Sequence, residues 1–339
     1  MERKVDDMVP GSLGAPLALL ILTLAALLSG CAVAGAAGQA PKLRLEPVQL
    51  NPHRPDRVDV DRLHFEAGFQ LRLADERFGG LSGVWLSDDG KRMVAASDGG
   101  TLFELALEHD QQGRLAGVGI VRAVVPGRMD DDPGFRLDQN VEALARLLNP
   151  DELVMAYEGT HRLRAVPMDD LEAIPTALPV PGVLAEHGNS GMEGLTSLPD
   201  GRLLALIEKG DKRRDAWIID ADGAVPLDYV QEFGFETTGA DRLGDEIWVL
   251  ERRFSWVGGF QSRIVRLDAG AIRPGAKVEG EEIARLRPPL TTENFEAIAV
   301  HRDERGRTLV YLLSDDNFNL LQRTMIMQFS LIDGPSESR

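Results

Sequence analysis

Five polar residues recur at one position in a repeated pattern, and all five are oxygen donors. Each heads a short apolar run: Ser82 in GLSGVWL, Glu142 in NVEALARLL, Glu193 in GMEGLTSL, Thr238 in TTGADRL and Glu296 in NFEAIAV. Their spacings are 60, 51, 45 and 58 residues. An acid closes the next apolar run of each copy: Asp98, Glu158, Glu208, Glu251, and Asp315 or Asp316. Three carboxylates and two hydroxyls brought together would repel one another or raise each other's pKa unless a cation joined them. An all-oxygen set suits Ca²⁺, with Mg²⁺ as the alternative, rather than Zn²⁺. The metal set expected on this basis is Ser82, Glu142, Glu193, Thr238 and Glu296. The six histidines show no H-E-x-x-H spacing. The competing reading is that each head residue merely caps a strand and bonds a backbone amide.

The elements that must position these residues are hairpins. Pro199-Asp200-Gly201 lies between the apolar runs that carry Glu193 and Glu208, and Pro-Asp-Gly between two such runs is a turn. Antiparallel pairing then puts the head of the first strand and the tail of the second at one edge. Two further strands follow most copies, such as Ala216 to Asp220 and Val225 to Gln231 after Glu208. Four antiparallel strands in a unit of about 50 residues make a β-propeller blade. The expected fold is therefore all-β, a β-propeller of five blades, with six if a weak blade hides in a long gap. A two-sheet sandwich also repeats hairpins, but it does not explain why the polar head keeps its place. The fifth copy lacks a strand, which His64 to Leu73 supplies, so the termini close the ring. The heads of all inner strands then converge on a central channel.

The 339 residues include one cysteine and carry a formal net charge of −17. Arg3 and Lys4 precede an apolar run from Ala15 to Leu28, which Ser29-Gly30-Cys31 ends. That is the layout of a bacterial lipoprotein signal, with Cys31 lipidated; an ordinary signal peptide with an incidental cysteine is the alternative. The expected organisation is signal peptide 1–30, lipid-anchored tether 31–62, propeller 63–332 and disordered tail 333–339. Ala32 after the cysteine resembles an outer-membrane signal, which places the chain in the bacterial envelope, facing the periplasm. Its membrane contact is then through the lipid alone, and the chain is read as a monomer. Without a thiol in the mature chain, a large core must replace disulfides. Nucleic acid is excluded as a partner, since the chain is strongly acidic and its basic residues form no stripe. No G-x-S-x-G elbow and no phosphate-binding Gly-rich loop is present.

The second acidic tier shares its face with basic residues. Asp98, Glu208 and Glu251, with Arg252 and Lys209, form the candidate catalytic set, in which the cations would hold a phosphoester. Lys212 and Arg213 read as part of a solvated charged turn.

GGLSG at 79–83, SD at 97–98, MEGL at 192–195, ERRFS at 251–255, FEAI at 295–298, SDDNFN at 314–319 and QRT at 322–324 together resemble one family. It is the bacterial "esterase-like activity of phytase", or phytase-like, family, and the likeness runs from about residue 63 to 330. The resemblance implies an acidic, secreted or lipid-anchored protein with phosphoester hydrolysis as its activity. One departure is Ser97-Asp98-Gly99-Gly100, where the family commonly reads Ser-Asp-Arg-Gly and so offers a further cation. The ring of Ser, Glu, Glu, hydroxyl and Glu also resembles, in pattern only, the calcium-activated nucleotidases.

Three functions follow from these readings. The first is a metal-dependent phosphoester hydrolase of the envelope. The second is a non-catalytic propeller that binds a protein or glycan, with a structural Ca²⁺ and with Trp256 and Phe260 as an exposed patch. The third is a lactonase-type propeller, which wants an Asn-rich inner ring and is disfavoured by Glu there.

Overall fold

The computed structural model describes residues 42–127, 140–158, 162–178, 191–208, 216–319 and 321–332. They form five antiparallel sheets arranged as the blades of a propeller. Blade I is Leu81–Leu86, Arg92–Ser97, Leu102–His109 and Leu115–Val124. Blade II is Val141–Leu148, Asp151–Tyr157, Arg162–Pro167 and Thr176–Leu178. Blade III is Met192–Ser197, Leu203–Ile207, Ala216–Asp220 and Gly223–Tyr229. Lys277–Val278 adds a short parallel edge to blade III. Blade IV is Glu236–Leu243, Glu246–Ser255, Gly259–Asp268 and Glu281–Leu286.

Blade V closes the ring. Phe295–Arg302, Thr308–Ser314 and Met325–Leu331 pair in order, and Leu63–Arg72 from the N-terminal side is the fourth strand. The closure expected from His64 to Leu73 is thus present, displaced by one residue. Such closure removes the open edge that Met325–Leu331 would otherwise present.

The propeller begins earlier than the expected boundary at residue 63. Arg44–Pro47 pairs antiparallel with Leu63–Arg72, and Leu43, Leu50 and Val60 are buried. Asn51 is buried too, and its side chain accepts the backbone N–H groups of His53 and Arg54. The stretch 42–62, read as tether, is therefore a strap on blade V. Residues 1–30, read above as a signal peptide, Cys31 and the tail after residue 332 lie outside the described residues. No helix among the described residues is long and apolar enough to cross a membrane.

The core lies between the blades. Alternate residues of each strand pack against the next sheet, as in Leu81, Met93, Phe103 and Tyr311 between blades I and V. Leu250, Ile264, Phe295 and Leu312 pack between blades IV and V. Glycines let the inner strands approach closely at the axis. A Cβ on Gly83 would stand 3.0 Å from the blade II backbone at Ala143, and one on Gly239 3.1 Å from the Glu296 carbonyl. The channel is accordingly narrow, with a void of about 10 Å³ lined by Gly83, Ala143, Leu195, Ala240 and Ala297.

Candidate functional site

The five head residues occupy one structural position. In every blade the pairing of the first two strands slips by one residue, and the residue passed over is the head. The slips lie between Leu81 and Gly83, Val141 and Ala143, Met192 and Gly194, Thr237 and Gly239, and Phe295 and Ala297. Ser82, Glu142, Glu193, Thr238 and Glu296 are therefore five bulged residues. A bulge leaves its residue outside the ladder and re-aims its side chain. The residue after each is Gly or Ala, which fits the close approach at the axis.

The tier above follows from the same register. Beyond each slip, one more backbone bond joins the strands: Asp98 N to Gly80 O at 2.8 Å, Glu158 N to Asn140 O at 2.9 Å, Glu208 N to Gly191 O at 3.2 Å and Asp315 N to Asn294 O at 2.9 Å. In blade IV the residue at this position is Arg252, opposite Glu236. The tier is thus Asp98, Glu158, Glu208, Arg252 and Asp315. Seven carboxyl groups and one guanidinium occupy the ten positions of the two rings.

Glu251 is not among them. It faces Thr237 across the ladder, so its side chain takes the opposite side of the sheet from Arg252. There it accepts the Tyr229 hydroxyl at 2.6 Å and Arg263 Nη1 at 2.6 Å, fully buried in blade IV. Burial raises its pKa, opposed by Tyr229 and Arg263. The catalytic role expected for Glu251 is corrected to a structural one. Lys209, with Lys212 and Arg213, lies outside the described residues.

The remaining candidates come together. Glu142, Glu193 and Glu296 are 9 %, 8 % and 9 % exposed. A Cβ on Gly191 would lie 2.8 Å from Glu193 Oε1, 3.3 Å from Glu158 Cγ and 3.6 Å from Glu142 Cγ, so three carboxylates surround this glycine. Ser82 Oγ donates to Asp98 at 2.5 Å, and Asn140 Nδ2 donates to Glu158 at 2.6 Å. Thr238 Oγ1 donates to the Phe295 carbonyl at 3.1 Å, joining blades IV and V. Arg252 donates Nη1 to both Glu296 and Asn294, and its Nη2 lies 3.9 Å from Glu208.

The electrostatics follow from this crowding. Burial, then Asp98, Glu158, Glu296 and Glu208, push Glu142 up to about 9. Burial and the neighbouring Glu142 and Glu296 drive Glu193 well above the ordinary carboxyl range. Burial lifts Glu296 to about 8 against the pull of Arg252, and Asp315 to about 7 against the Asn317 amide. Asp98 is raised by burial, with the Ser82 hydrogen bond opposing.

These donors fit a hard cation in chemistry. Among the described residues, no hydrogen bond or ion pair holds the Glu142 or Glu193 carboxyl, and both are buried beside other acids. A buried carboxyl so placed either keeps its proton or meets a positive charge. The spacing is not that of a closed cage. Among the described residues, no group of three or more Asp, Glu, His or Cys side chains already stands close enough to hold a metal, and Arg252 takes Glu296. A cation would therefore have to draw the carboxylates inward by rotamer changes.

Sequence reasoning left Glu158, Asp315 and Asn294 out of the site set. The first two were visible as strand-ending acids. Asn294 carried no signal, since its role depends on Arg252 reaching across from blade IV.

Comparison with known proteins gives the family. No curated protein matches the chain. Among solved structures, the β-propeller domain of Myceliophteria thermophila Cps50 (Swd1) is 13 % identical at a TM-score of 0.39, covering 85 % of this chain and 99 % of that one. The structure of U3-55K is 8 % identical at 0.38, covering 77 % and 98 %. The tail fibre of Staphylococcus aureus phage P68 is 10 % identical at 0.40, covering 81 % and 53 %. Scores this low carry no argument, and the five-bladed ring rests on its own topology. A family model described as phytase-like, esterase-like activity of phytase, matches residues 76–318, from the start of blade I to the loop that closes blade V, and the chain belongs to that family.

Proposed function

We propose that this protein is a metal-dependent phosphoester hydrolase. The observation that carries the proposal is the pair of stacked rings, with seven carboxyls around one arginine. Glu142, Glu193 and Glu296 would hold Ca²⁺ or Mg²⁺, with Ser82 and Thr238 as further oxygen donors. A bound divalent ion would polarise a phosphoryl oxygen and offset the charge of the phosphate. Arg252 supplies a fixed fork for the remaining phosphate oxygens, which suits guanidinium geometry. Burial lifts Asp315 to about 7, and an acid poised near neutral pH can take or give a proton; Asp98, also raised by burial, stands in the same tier. Glu208 lies beside Arg252 and limits where its side chain can swing.

The same proposal covers the chain's place in the cell. Cys31 carries lipid, and the propeller is a monomer held at the bacterial envelope, on the outer membrane facing the periplasm. Cys31→Ser should release it into the soluble fraction.

A second reading has one observation in its favour. The second hairpin of blade IV runs four residues past Glu251, the ladder position at which the paired second strands of the other blades end, and its tip carries Trp256 at 95 % and Val257 at 101 % exposure. Exposed apolar tips suit a binding surface, and a non-catalytic propeller with a structural ion would use them for a protein or glycan.

Turnover separates the two. Chelator-stripped protein, with and without Ca²⁺ or Mg²⁺, is assayed on a generic phosphodiester, a nucleotide and phytate. Metal-dependent hydrolysis that disappears in Glu193→Gln supports the enzyme. Metal binding with no turnover on any of the three favours the binding module.

A further inference from the structure

The channel has a second mouth, at the far ends of the inner strands, and its chemistry is unlike that of the first. The strands end there at Leu86, Leu148, Ser197, Leu243 and Arg302. Around these ends lies a cavity of about 320 Å³ to which all five blades contribute. That size suits a small ligand. The axial void of about 10 Å³ between the two mouths has room for about one water molecule. What binds at one mouth does not pass to the other.

Three arginines from three blades line the cavity: Arg146, Arg242 and Arg302. Arg146 is committed. It donates to both oxygens of Asp151 at 2.8 and 3.0 Å and stacks over Trp85 at 5.3 Å. Arg242 and Arg302 have no carboxylate partner among the described residues. Each donates one Nη1 to a carbonyl of its own hairpin, Gly244 at 2.8 Å and Gly306 at 2.9 Å. That bond orients the guanidinium and leaves most of its five N–H donors unspent. Arg242 Nε is buried and has no hydrogen-bond partner among the described residues. Such a donor is costly unless something accepts from it.

The other walls add to this. Thr196 and Ser197 place hydroxyls on the blade III side. His301, only 6 % exposed, lines the same cavity; the backbones of Asp88 and Arg302 lie beside its ring, and among the described residues no hydrogen bond of normal geometry reaches either ring nitrogen. The acids present do not answer the arginines. Asp241 spends its carboxyl on the backbone N–H groups of Val300 at 2.7 Å and Arg242 at 2.8 Å. The Asp88 side chain is almost fully exposed, and its ion-pair contact among the described residues is with Arg146, at 3.9 Å.

We propose that this lower mouth binds a small dianionic oxyanion, a phosphate or a dicarboxylate, held by Arg242 and Arg302 with Ser197 and His301 as further partners. Planar guanidinium forks match both oxyanions. The site is independent of the upper rings and of any activity there.

Calorimetric titration at low ionic strength, with chelator present, tests it using inorganic phosphate and succinate as probes. At least one probe should bind saturably with one equivalent per chain, and the one preferred identifies the source of the oxyanion. Arg242→Gln and Arg302→Gln should each weaken that binding about tenfold or more, at an unchanged melting temperature. Arg302→Lys should recover part of it, and Arg252→Gln at the upper mouth should leave it unaltered. The proposal is overturned by no saturable binding of either probe at millimolar concentration. It is equally overturned by wild-type affinity in both glutamine variants, or by binding that is lost in Arg252→Gln.

Discussion

Glu251 and Arg252 are neighbours on one strand with opposite fates: Glu251 is sealed against Tyr229 and Arg263, while Arg252 reaches Glu296 on the adjacent blade V. One residue of register separates a structural ion pair from the cation of the candidate site. The two positions should therefore respond differently to substitution. Glu251→Ala leaves Arg263 short of its buried partner and should cost about 3 kcal/mol of stability, the low end for breaking a buried pair. Metal binding per folded molecule should stay as in the wild type. Chemical denaturation alongside calorimetry checks both, and a loss of metal affinity without loss of stability would contradict the assignment.

Arg252→Gln should do the reverse of what a simple ligand deletion does. It frees Glu296 from its guanidinium partner, so Ca²⁺ should bind more tightly, while phosphoester turnover should fall by about a hundredfold or more for want of the oxyanion partner. Weaker Ca²⁺ binding in this variant would show that Arg252 supports the ring rather than competing with it.

Gly191→Ala tests the packing of the upper site. The added methyl would come 2.8 Å from Glu193 Oε1, too close unless that side chain moves. The expected outcome is a folded protein, by circular dichroism and melting, whose Ca²⁺ affinity drops. An unchanged affinity would contradict the placing of a Glu193 ligand beside this glycine.

Stability should depend on pH in a direction set by the raised carboxyls. Below the ordinary carboxyl range, folded and unfolded chains are both protonated and nothing is lost. As pH rises, the unfolded chain ionises first. Stability of the chelated protein should then fall until pH passes the folded values, about 7 for Asp315, about 8 for Glu296 and about 9 for Glu142. Ca²⁺ should flatten this decline, since a bound cation favours the ionised form. Melting curves across this range, with chelator and with Ca²⁺, read the effect directly. A metal-free protein equally stable at both ends would contradict it.

The ring closure predicts where the chain can be shortened. A chain beginning at residue 42 keeps the strap and the fourth strand of blade V and should fold. One beginning at residue 73 leaves the Met325–Leu331 edge open and should aggregate, as unpaired edges do. Solubility and a cooperative melt distinguish them.

Much of this was legible in the sequence, for a physical reason. Bulged residues head an inner strand in every blade and are followed by Gly or Ala, because the channel has no space for more. Ser82, Glu142, Glu193, Thr238 and Glu296 therefore stood out together. Glu251 was misread because Glu251-Arg252-Arg253 offers charged residues on both faces of a strand, and the pairing register alone decides which faces the axis. The strap at 42–62 escaped because its burial comes from contact with blade V, as in Thr291 N to Leu50 O at 2.7 Å, not from any apolar period of its own. The lower arginines come from three blades and share no motif.

The most direct measurement is calorimetric titration of Ca²⁺ into chelator-stripped propeller at mildly alkaline pH, beside Glu142→Gln and Glu193→Gln. The account expects one Ca²⁺ per chain, a raised melting temperature, and affinity at least about tenfold weaker in each variant, with the fold intact. No heat and no thermal shift with millimolar Ca²⁺ or Mg²⁺, or binding untouched by both substitutions, would contradict it and return the five bulged residues to the role of strand caps.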